Sequence, residues 1–339
     1  MKKVISLILS IVMIASMLAG CGASAEKDTG KAPAAAASAN DADKTYRVAV
    51  IQQLDHSSLD EIRTAINAQL ISLAQDKDFN IEIQEYNGQN DSSMLNQIAT
   101  EVVSDGYDLI IPIATLAATS AVVAAEGTDI PIVYAAISDP ESAGLTGLAN
   151  VTGVSDALNT PFILDMMLAA QPDVQTVGLL YSNSEVNSQT PIAEAKAYLE
   201  EKGIEVLEKT GNTSGEIVEA AASLVGRVDA VCTPTDNVVM AAEAAVAELF
   251  NADGIAHYTG ADSFVLSGAF TTCGVNYTEL GTKAADMAFD ILMGGEIGEF
   301  VVMDGGIITV NTDTATAIGV DYSVFSTMAN TVNEVTTAE

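Results

Sequence analysis

The sequence predicts two α/β lobes, each built on a doubly wound parallel sheet, behind an export leader. Three observations predict this. Short β-branched runs alternate with longer helical runs from Thr45 onward, the alternation restarts near Val174, and polar residues collect where the predicted strands end. Strand–helix alternation calls for parallel strands joined by right-handed crossovers, with helices on both faces of the sheet. Roughly 290 residues lie beyond Thr45, more than one compact core holds, so two lobes are expected.

The leader comes first. Lys2 and Lys3 make a short positive region, Val4 to Leu18 is almost unbroken apolar sequence, and small residues follow to Leu18-Ala19-Gly20-Cys21. This is the layout of a secretory signal over residues 1–20, too short and wrongly flanked for a good transmembrane helix. Its ending resembles the bacterial lipobox, which implies that Cys21 is lipidated and becomes the new N-terminus. Residues 21–45 are rich in Ala, Ser, Asp and Lys without apolar periodicity. Such a segment cannot bury enough surface to offset its ordering entropy, and is expected to be a flexible tether. As a coil it reaches on the order of 25–30 Å.

In the first lobe, strands are expected at Tyr46–Gln52, Ile81–Tyr86, Leu109–Ile113, Ile132–Ala135 and Val151–Val154. Helices are expected at Leu59–Gln75, with Ile62, Ile66, Leu70 and Leu73 on one face, and at Ser92–Ser104 and Ala117–Ala125. The second lobe repeats the pattern with strands Thr176–Tyr181, Ile204–Lys209, Ala230–Thr233, Ala256–Thr259 and Ala269–Cys273. Helices Pro191–Lys202, Glu216–Val225 and Val238–Asn251 lie between them. Two segments echo each other: Asp108-Leu-Ile-Ile-Pro-Ile-Ala-Thr115 and Asp229-Ala-Val-Cys-Thr-Pro-Thr-Asp236 each run from Asp through a buried strand to Pro and Thr.

Composition excludes several function classes. The formal net charge is −33, and removal of the leader lysines takes it to −35. Nucleic-acid binding needs clustered Lys and Arg, so it is not expected; the acidity is that of a solvated surface. Cys232 and Cys273 are the only cysteines besides Cys21, and His56 and His257 the only histidines, without Cys-x-x-Cys or His-x-x-x-His spacing. Neither a metal, a cofactor nor histidine-dependent catalysis is expected. In the usual strand order of such a fold, one strand lies between the strands ending in Cys232 and Cys273. That sets them about 9–10 Å apart at two inter-strand spacings, beyond the ~7 Å limit for a disulfide, so both are expected as free thiols.

In open α/β sheets ligands gather beyond the carboxyl ends of the strands, at loops and helix N-termini. Polar groups stand there repeatedly: Gln52-Gln53, Asn87-Gly88-Gln89, Thr115, Ser138-Asp139, Ser182-Asn183-Ser184, Thr233-Pro-Thr-Asp-Asn237 and Asp262-Ser263. Many can equally cap the following helix. The cleft between two such sheets is the natural site.

The segments Asp108–Thr115, Asp129-Ile-Pro-Ile-Val-Tyr-Ala-Ala-Ile-Ser-Asp-Pro140, Asn150-Val-Thr-Gly-Val-Ser155 and Val228–Asn237 resemble the ABC-transporter substrate-binding family that includes tryptophan- and tyrosine-type binding lipoproteins. The likeness runs from about Tyr46 to Thr309. It implies the type I periplasmic-binding fold, with lobe 1 at 46–156 plus 276–296, lobe 2 at 157–275 plus 305–326, and residues 327–339 as a C-terminal tail. Crossovers are expected near Ser155–Thr160, at Gly274–Tyr277 and within Gly295–Gly306. A non-enzymatic, monomeric receptor is implied, handing a small organic ligand to a separate ABC permease and ATPase; the chain has no Gly-x-x-x-x-Gly-Lys-Ser/Thr loop of its own.

An aromatic amino acid is the ligand that the resemblance favours. Asp236 is expected to hold its ammonium, with Thr115 and Ser138 on its carboxylate. Leu54, Tyr181 and Tyr277 are candidate walls, and Gln53, Asp139, Ser155, Ser184, Thr235 and Asn276 complete the candidate set. The chain has no Trp, so no cage of indoles can form, and a branched aliphatic amino acid, a nucleoside or a sugar also fits this architecture. A receptor feeding a membrane sensor, or an exported hydrolase using carboxylates such as Asp139 and Asp236, are the alternatives.

Overall fold

The computed structural model describes residues 44–338. The leader, Cys21 and all but the end of the expected tether lie outside the described residues. The first lobe begins with β1 (Thr45–Gln52), α1 (Ser57–Asp76), β2 (Asn80–Asn87), α2 (Ser92–Ser104), β3 (Leu109–Ile113), α3 (Thr115–Ala124), β4 (Ile132–Ala135) and β5 (Val151–Ser155). The chain then enters the second lobe with α4 (Thr160–Ala170), β6 (Thr176–Tyr181), α5 (Val186–Glu201), β7 (Glu205–Thr210), α6 (Ser214–Ala222) and β8 (Ala230–Thr233). There follow α7 (Asn237–Met240), α8 (Glu243–Ala252), β9 (Ala256–Thr259), α9 (Asp262–Leu266) and β10 (Thr271–Gly274). It returns to the first lobe for α10 (Tyr277–Leu292) and the two-residue β11 (Val301–Val302), and ends in the second with β12 (Ile307–Asn311), α11 (Thr312–Ile318), a 3₁₀ turn at Ser323–Thr327 and β13 (Thr331–Val335).

The first sheet has the order β11-β5-β4-β3-β1-β2, and the second β13-β12-β10-β9-β8-β6-β7. All pairings are parallel except β10 with β12. The architecture is the type I periplasmic-binding fold, two parallel-sheet lobes joined where the chain passes between sheets after β5, β10 and β11. Sheet order places β9 between β8 and β10, and Cys232 and Cys273 are both buried free thiols. Burial pushes the Cys232 thiol up to about 12 and the Cys273 thiol up to about 11.

Buried on both faces, β3, β4 and β8 are continuous apolar runs, as parallel strands under two helical layers must be. Helix α1 turns Leu59, Ile62, Ile66 and Leu70 inward at helical spacing, each worth roughly 1.5–3 kcal/mol of burial. Its neighbour is α10, brought back by the second crossover. Gly281 permits that approach, since a Cβ there would stand 2.6 Å from the Ile62 carbonyl oxygen.

Three departures from the sequence reading have local causes. The expected helix Val238–Asn251 is two helices, broken at Ala241–Ala242. The break turns Glu243 inward, where it meets His257 Nδ1 at 3.0 Å while His257 Nε2 meets Thr233 Oγ1 at 2.8 Å. Helix α5 starts at Val186 and not at Pro191, which sits inside it. Residues 327–339, expected as a tail, contain β13, paired in parallel with β12. As an edge strand it buries little, so its sequence lacks an apolar signal.

Candidate functional site

The carboxyl ends of both sheets face each other across a small cavity lined from both lobes. From the first lobe it receives Ala114 and Thr115 after β3, Ala136 and Ser138 after β4, and Asp156 after β5. His56, Ser58 and Leu59 come from the start of α1. From the second lobe come Thr235, Asp236, Asn237 and Met240 after β8, with Ala261, Ser263 and Phe264 after β9. Tyr277, first residue of α10, closes the hinge end. No lysine or arginine is among these lining residues.

The loops after β8 and β9 are pressed together: a Cβ at Gly260 would lie 2.5 Å from the Thr235 nitrogen. Across the cavity, Ala114 (φ 73°) and Ala136 (φ 58°) hold left-handed backbone that non-glycine residues rarely adopt.

Side chains bridge the lobes directly. Gln53 Nε2 donates to Glu185 Oε1 at 2.9 Å, Ser58 meets Ser263 at 2.6 Å, and Ser138 meets Thr235 at 2.9 Å. His56 Nε2 lies 3.0 Å from Asn237 Oδ1, and Thr190 donates to Asp139 at 2.7 Å. The cleft is therefore closed around the cavity.

Two aspartates line this space and differ in what already holds them. Asp236 is fully buried and caps α7: its Oδ1 accepts from the Val238 and Val239 amides at 3.0 Å. Its Oδ2 accepts from the Ser182 amide at 2.7 Å and the Ser188 hydroxyl at 2.6 Å. A carboxylate offers about four acceptor positions, so this one is saturated within its own lobe. Asp236, expected to hold a ligand ammonium, does line the cavity, but its capping role occupies the acceptor positions that an ammonium would use. Asp156 is also buried, but its side-chain partners are two hydroxyls, Ser138 at 3.0 Å and Tyr277 at 3.3 Å. Burial raises the pKa of both aspartates.

Of the other expected residues, Thr115, Ser138, Thr235 and Tyr277 line the cavity. Gln53 and Asp139 sit outside it as lobe-to-lobe bridges, Gln53 also accepting from the Leu116 amide at 3.0 Å. Leu54 packs in the first-lobe core. Ser155 accepts from the Ala157 amide, which holds the crossover beside Asp156. Three expected residues belong elsewhere. Tyr181 donates to Glu208 from the β6–β7 side, the exposed Ser184 pairs with buried Ser182, and Asn276 caps α10 by accepting from the Glu279 amide. The reading missed Asp156, Ser58, Leu59, Met240 and Phe264. Asp156 had a signal, being the first carboxylate after a strand that ends at a crossover; the apolar residues had none, since any buried side chain of a helix's first turns reads the same.

Among the described residues no group of three or more His, Cys, Asp or Glu could hold a metal ion, and no helix is long and apolar enough to cross a membrane.

This is the geometry of a two-lobed binding protein that closes on a small ligand. Residues 47–330 match the family model described as ABC transporter substrate binding protein, and the chain belongs to that family: it is a substrate-binding protein, not an enzyme. It is 34% identical, over 94% of its length and 92% of the relative's, to a "Tyrosine-binding protein" of Clostridioides difficile. Among solved structures, one from Streptococcus pneumoniae in complex with L-Trp is 28% identical, with a TM-score of 0.78, 85% of this chain and 100% of that one covered. The ligand-free, open structure of a substrate binding protein with adhesive properties from Clostridium difficile is 31% identical, with a TM-score of 0.65 over 86% and 100%.

Proposed function

We propose that this protein is the extracytoplasmic, lipid-anchored receptor of an ABC importer and that its ligand is an aromatic amino acid. The observation that carries the ligand class is the cavity itself. Asp156 is a buried carboxylate with spare acceptor capacity and no cationic partner among its hydrogen bonds. A ligand ammonium would supply the missing charge through a charge-assisted bond in a dry cleft. Thr115, at the N-terminus of α3, and Ser138 stand on the first-lobe side for the carboxylate. Leu59, Met240 and Phe264 give an apolar wall for a ring. The names of the tyrosine-binding and L-Trp-bound relatives support the same class.

Lobe disposition supports binding by closure. Sequence alone would favour the better match to the more identical relative. The chain instead fits the L-Trp complex better than the open, ligand-free structure, as a rigid rotation of one lobe produces. A ligand drives such closure only through unequal affinity for the open and closed states. Anchoring rests on the Leu-Ala-Gly-Cys21 ending and the tether behind it, and a permease and ATPase would be the membrane partners of a monomeric receptor.

A thermal-shift screen of the purified mature protein against amino acids, nucleosides and sugars tests the ligand class. A ligand at ~100 times its Kd stabilises by about 2.7 kcal/mol. Tyrosine, tryptophan or phenylalanine should give the largest shift; a larger shift with a nucleoside, sugar or aliphatic amino acid would overturn the aromatic reading. Mass spectrometry of the membrane-bound native protein should find Cys21 N-terminal and acylated.

A further inference from the structure

Resting on the aromatic amino acid reading, we infer that His56 is the specificity-determining residue of the cavity, with its Nδ1 as an acceptor for the polar tip of the ligand ring: a phenol O–H or an indole N–H, which phenylalanine lacks.

The donor and acceptor roles follow from a chain of contacts. Gln53 Oε1 accepts from the Leu116 amide at 3.0 Å, and a backbone N–H can only donate, so the Gln53 amide is oriented with Nε2 outward. That Nε2 donates to Glu185 Oε1 at 2.9 Å. The other oxygen of Glu185 accepts from Asn237 Nδ2 at 2.6 Å. With its nitrogen turned to the carboxylate, Asn237 presents Oδ1 to His56 Nε2 at 3.0 Å. An amide oxygen only accepts, so Nε2 carries the proton. Burial lowers the pKa of His56, which keeps the ring neutral, and a neutral imidazole protonated on Nε2 has a bare Nδ1. His56 lines the cavity, and its Nδ1 is buried without a hydrogen-bond partner. An orphaned buried acceptor is costly, and a ligand donor relieves it.

The span fits. Asp156 follows β5 and His56 follows β1, three inter-strand spacings apart in the first sheet, or roughly 14 Å. The ammonium and phenol oxygen of tyrosine are roughly 7 Å apart, and a hydrogen bond of about 3 Å at each end brings the total to about 13 Å.

Calorimetry at about pH 8 with L-tyrosine, L-tryptophan and L-phenylalanine tests the assignment. Glu185, pushed up to about 7 by burial and by Asp236, is mostly ionised there. The wild type should bind tyrosine or tryptophan roughly ten- to a hundredfold more tightly than phenylalanine, the penalty for leaving a buried acceptor unpaired. His56→Gln keeps an amide donor where Nε2 stood but has no acceptor at Nδ1; its preference should fall to within about threefold, with phenylalanine affinity little changed. His56→Asn places its amide oxygen near Nδ1 and should keep part of the preference. With only two histidines in the chain, ¹⁵N-imidazole NMR reads the tautomer directly. The unprotonated Nδ1 resonance of His56 should shift on adding tyrosine and stay in place with phenylalanine. Wild-type affinity for phenylalanine within threefold of both others, an unchanged preference in His56→Gln, or a proton on Nδ1 would each overturn the inference while leaving the aromatic reading intact. Binding of none of the three would sink both.

Discussion

The two lobes supply the same cavity by different means. On the second-lobe side the carboxylate is already spent: Asp236 accepts four hydrogen bonds from its own lobe. On the first-lobe side it is not. Asp156 has two hydroxyl partners and His56 leaves Nδ1 unpaired. Backbone strain divides the same way. Among the described residues, the two alanines at positive φ, Ala114 and Ala136, both line the cavity from the first lobe, while the second lobe uses glycine wherever it needs that conformation. Strain and unspent polarity gather where a ligand would repay them, so the first lobe reads as the recognition surface and the second as its rigid counterpart.

The largest effect separates the two aspartates. Asp156→Asn removes charge from the group with spare capacity and should cost about 2–5 kcal/mol of amino-acid binding, tens-fold to thousands-fold in Kd. Asp236→Asn should leave affinity within about threefold. Calorimetry on both variants decides the matter, and a collapse in Asp236→Asn alone would return the anchor to the second lobe.

Next in size is a pH effect on the ligand-free protein. Glu185 is pushed from its ordinary 4.5 up to about 7, chiefly by burial and then by the neighbouring Asp236 charge. An acid raised in the folded state binds more protons folded than unfolded across that window. Stability from this group is therefore fully present below about 4.5 and lost as pH rises through about 7. The loss is on the order of 3 kcal/mol. Melting temperature should fall between pH 5 and 8, and Glu185→Gln should flatten that fall. An equal slope in the variant would mean that other buried acids, Asp262 at about 6 among them, govern it.

Third, Asp236→Asn should lower stability by about 1–3 kcal/mol, since the Ser182 amide and Ser188 hydroxyl lose a charged acceptor in a buried place. Chemical denaturation measures it. A loss below about 0.5 kcal/mol would show that an amide serves this cap as well as a carboxylate.

How far the sequence carried the argument depends on what each residue's signal was. Strands of the second lobe were legible because buried parallel strands such as Ala230–Thr233 are continuous apolar runs bounded by polar loops, and the one strand expected between Cys232 and Cys273 from the usual order of this fold is β9. The site was legible as a set of strand ends, and Thr115, Ser138, Thr235 and Tyr277 reach the cavity from them. What sequence could not supply was the count of partners at each carboxylate. Asp156 and Asp236 both follow a strand, and only the placement of Ser182 and Ser188, some fifty residues away in the chain, shows which one is saturated. Met240 and Phe264 were silent for a similar reason: core and cavity wall ask for the same side chain.

The smallest expected effect tests the strain in the first lobe. Ala114 stands at φ 73°, ψ 163°, between β3 and α3, a region that is essentially glycine's and costs another residue about 1–3 kcal/mol. Ala114→Gly relieves that cost. Against it stand the greater freedom of glycine in the unfolded chain, about 0.4–1 kcal/mol, and the loss of one buried methyl, about 0.8 kcal/mol. The balance lies between a loss of about 1 kcal/mol and a gain of about 2 kcal/mol, centred on a small gain. Ala118, buried in the interior of α3, is the control: glycine there has no strain to relieve and should destabilise by about 1 kcal/mol or more. Opposite or clearly separated shifts in melting temperature would place strain at the mouth of α3. Equal losses at both positions would mean that the surrounding lobe relaxes Ala114, and the contrast between a strained first lobe and an unstrained second would rest on Ala136 alone.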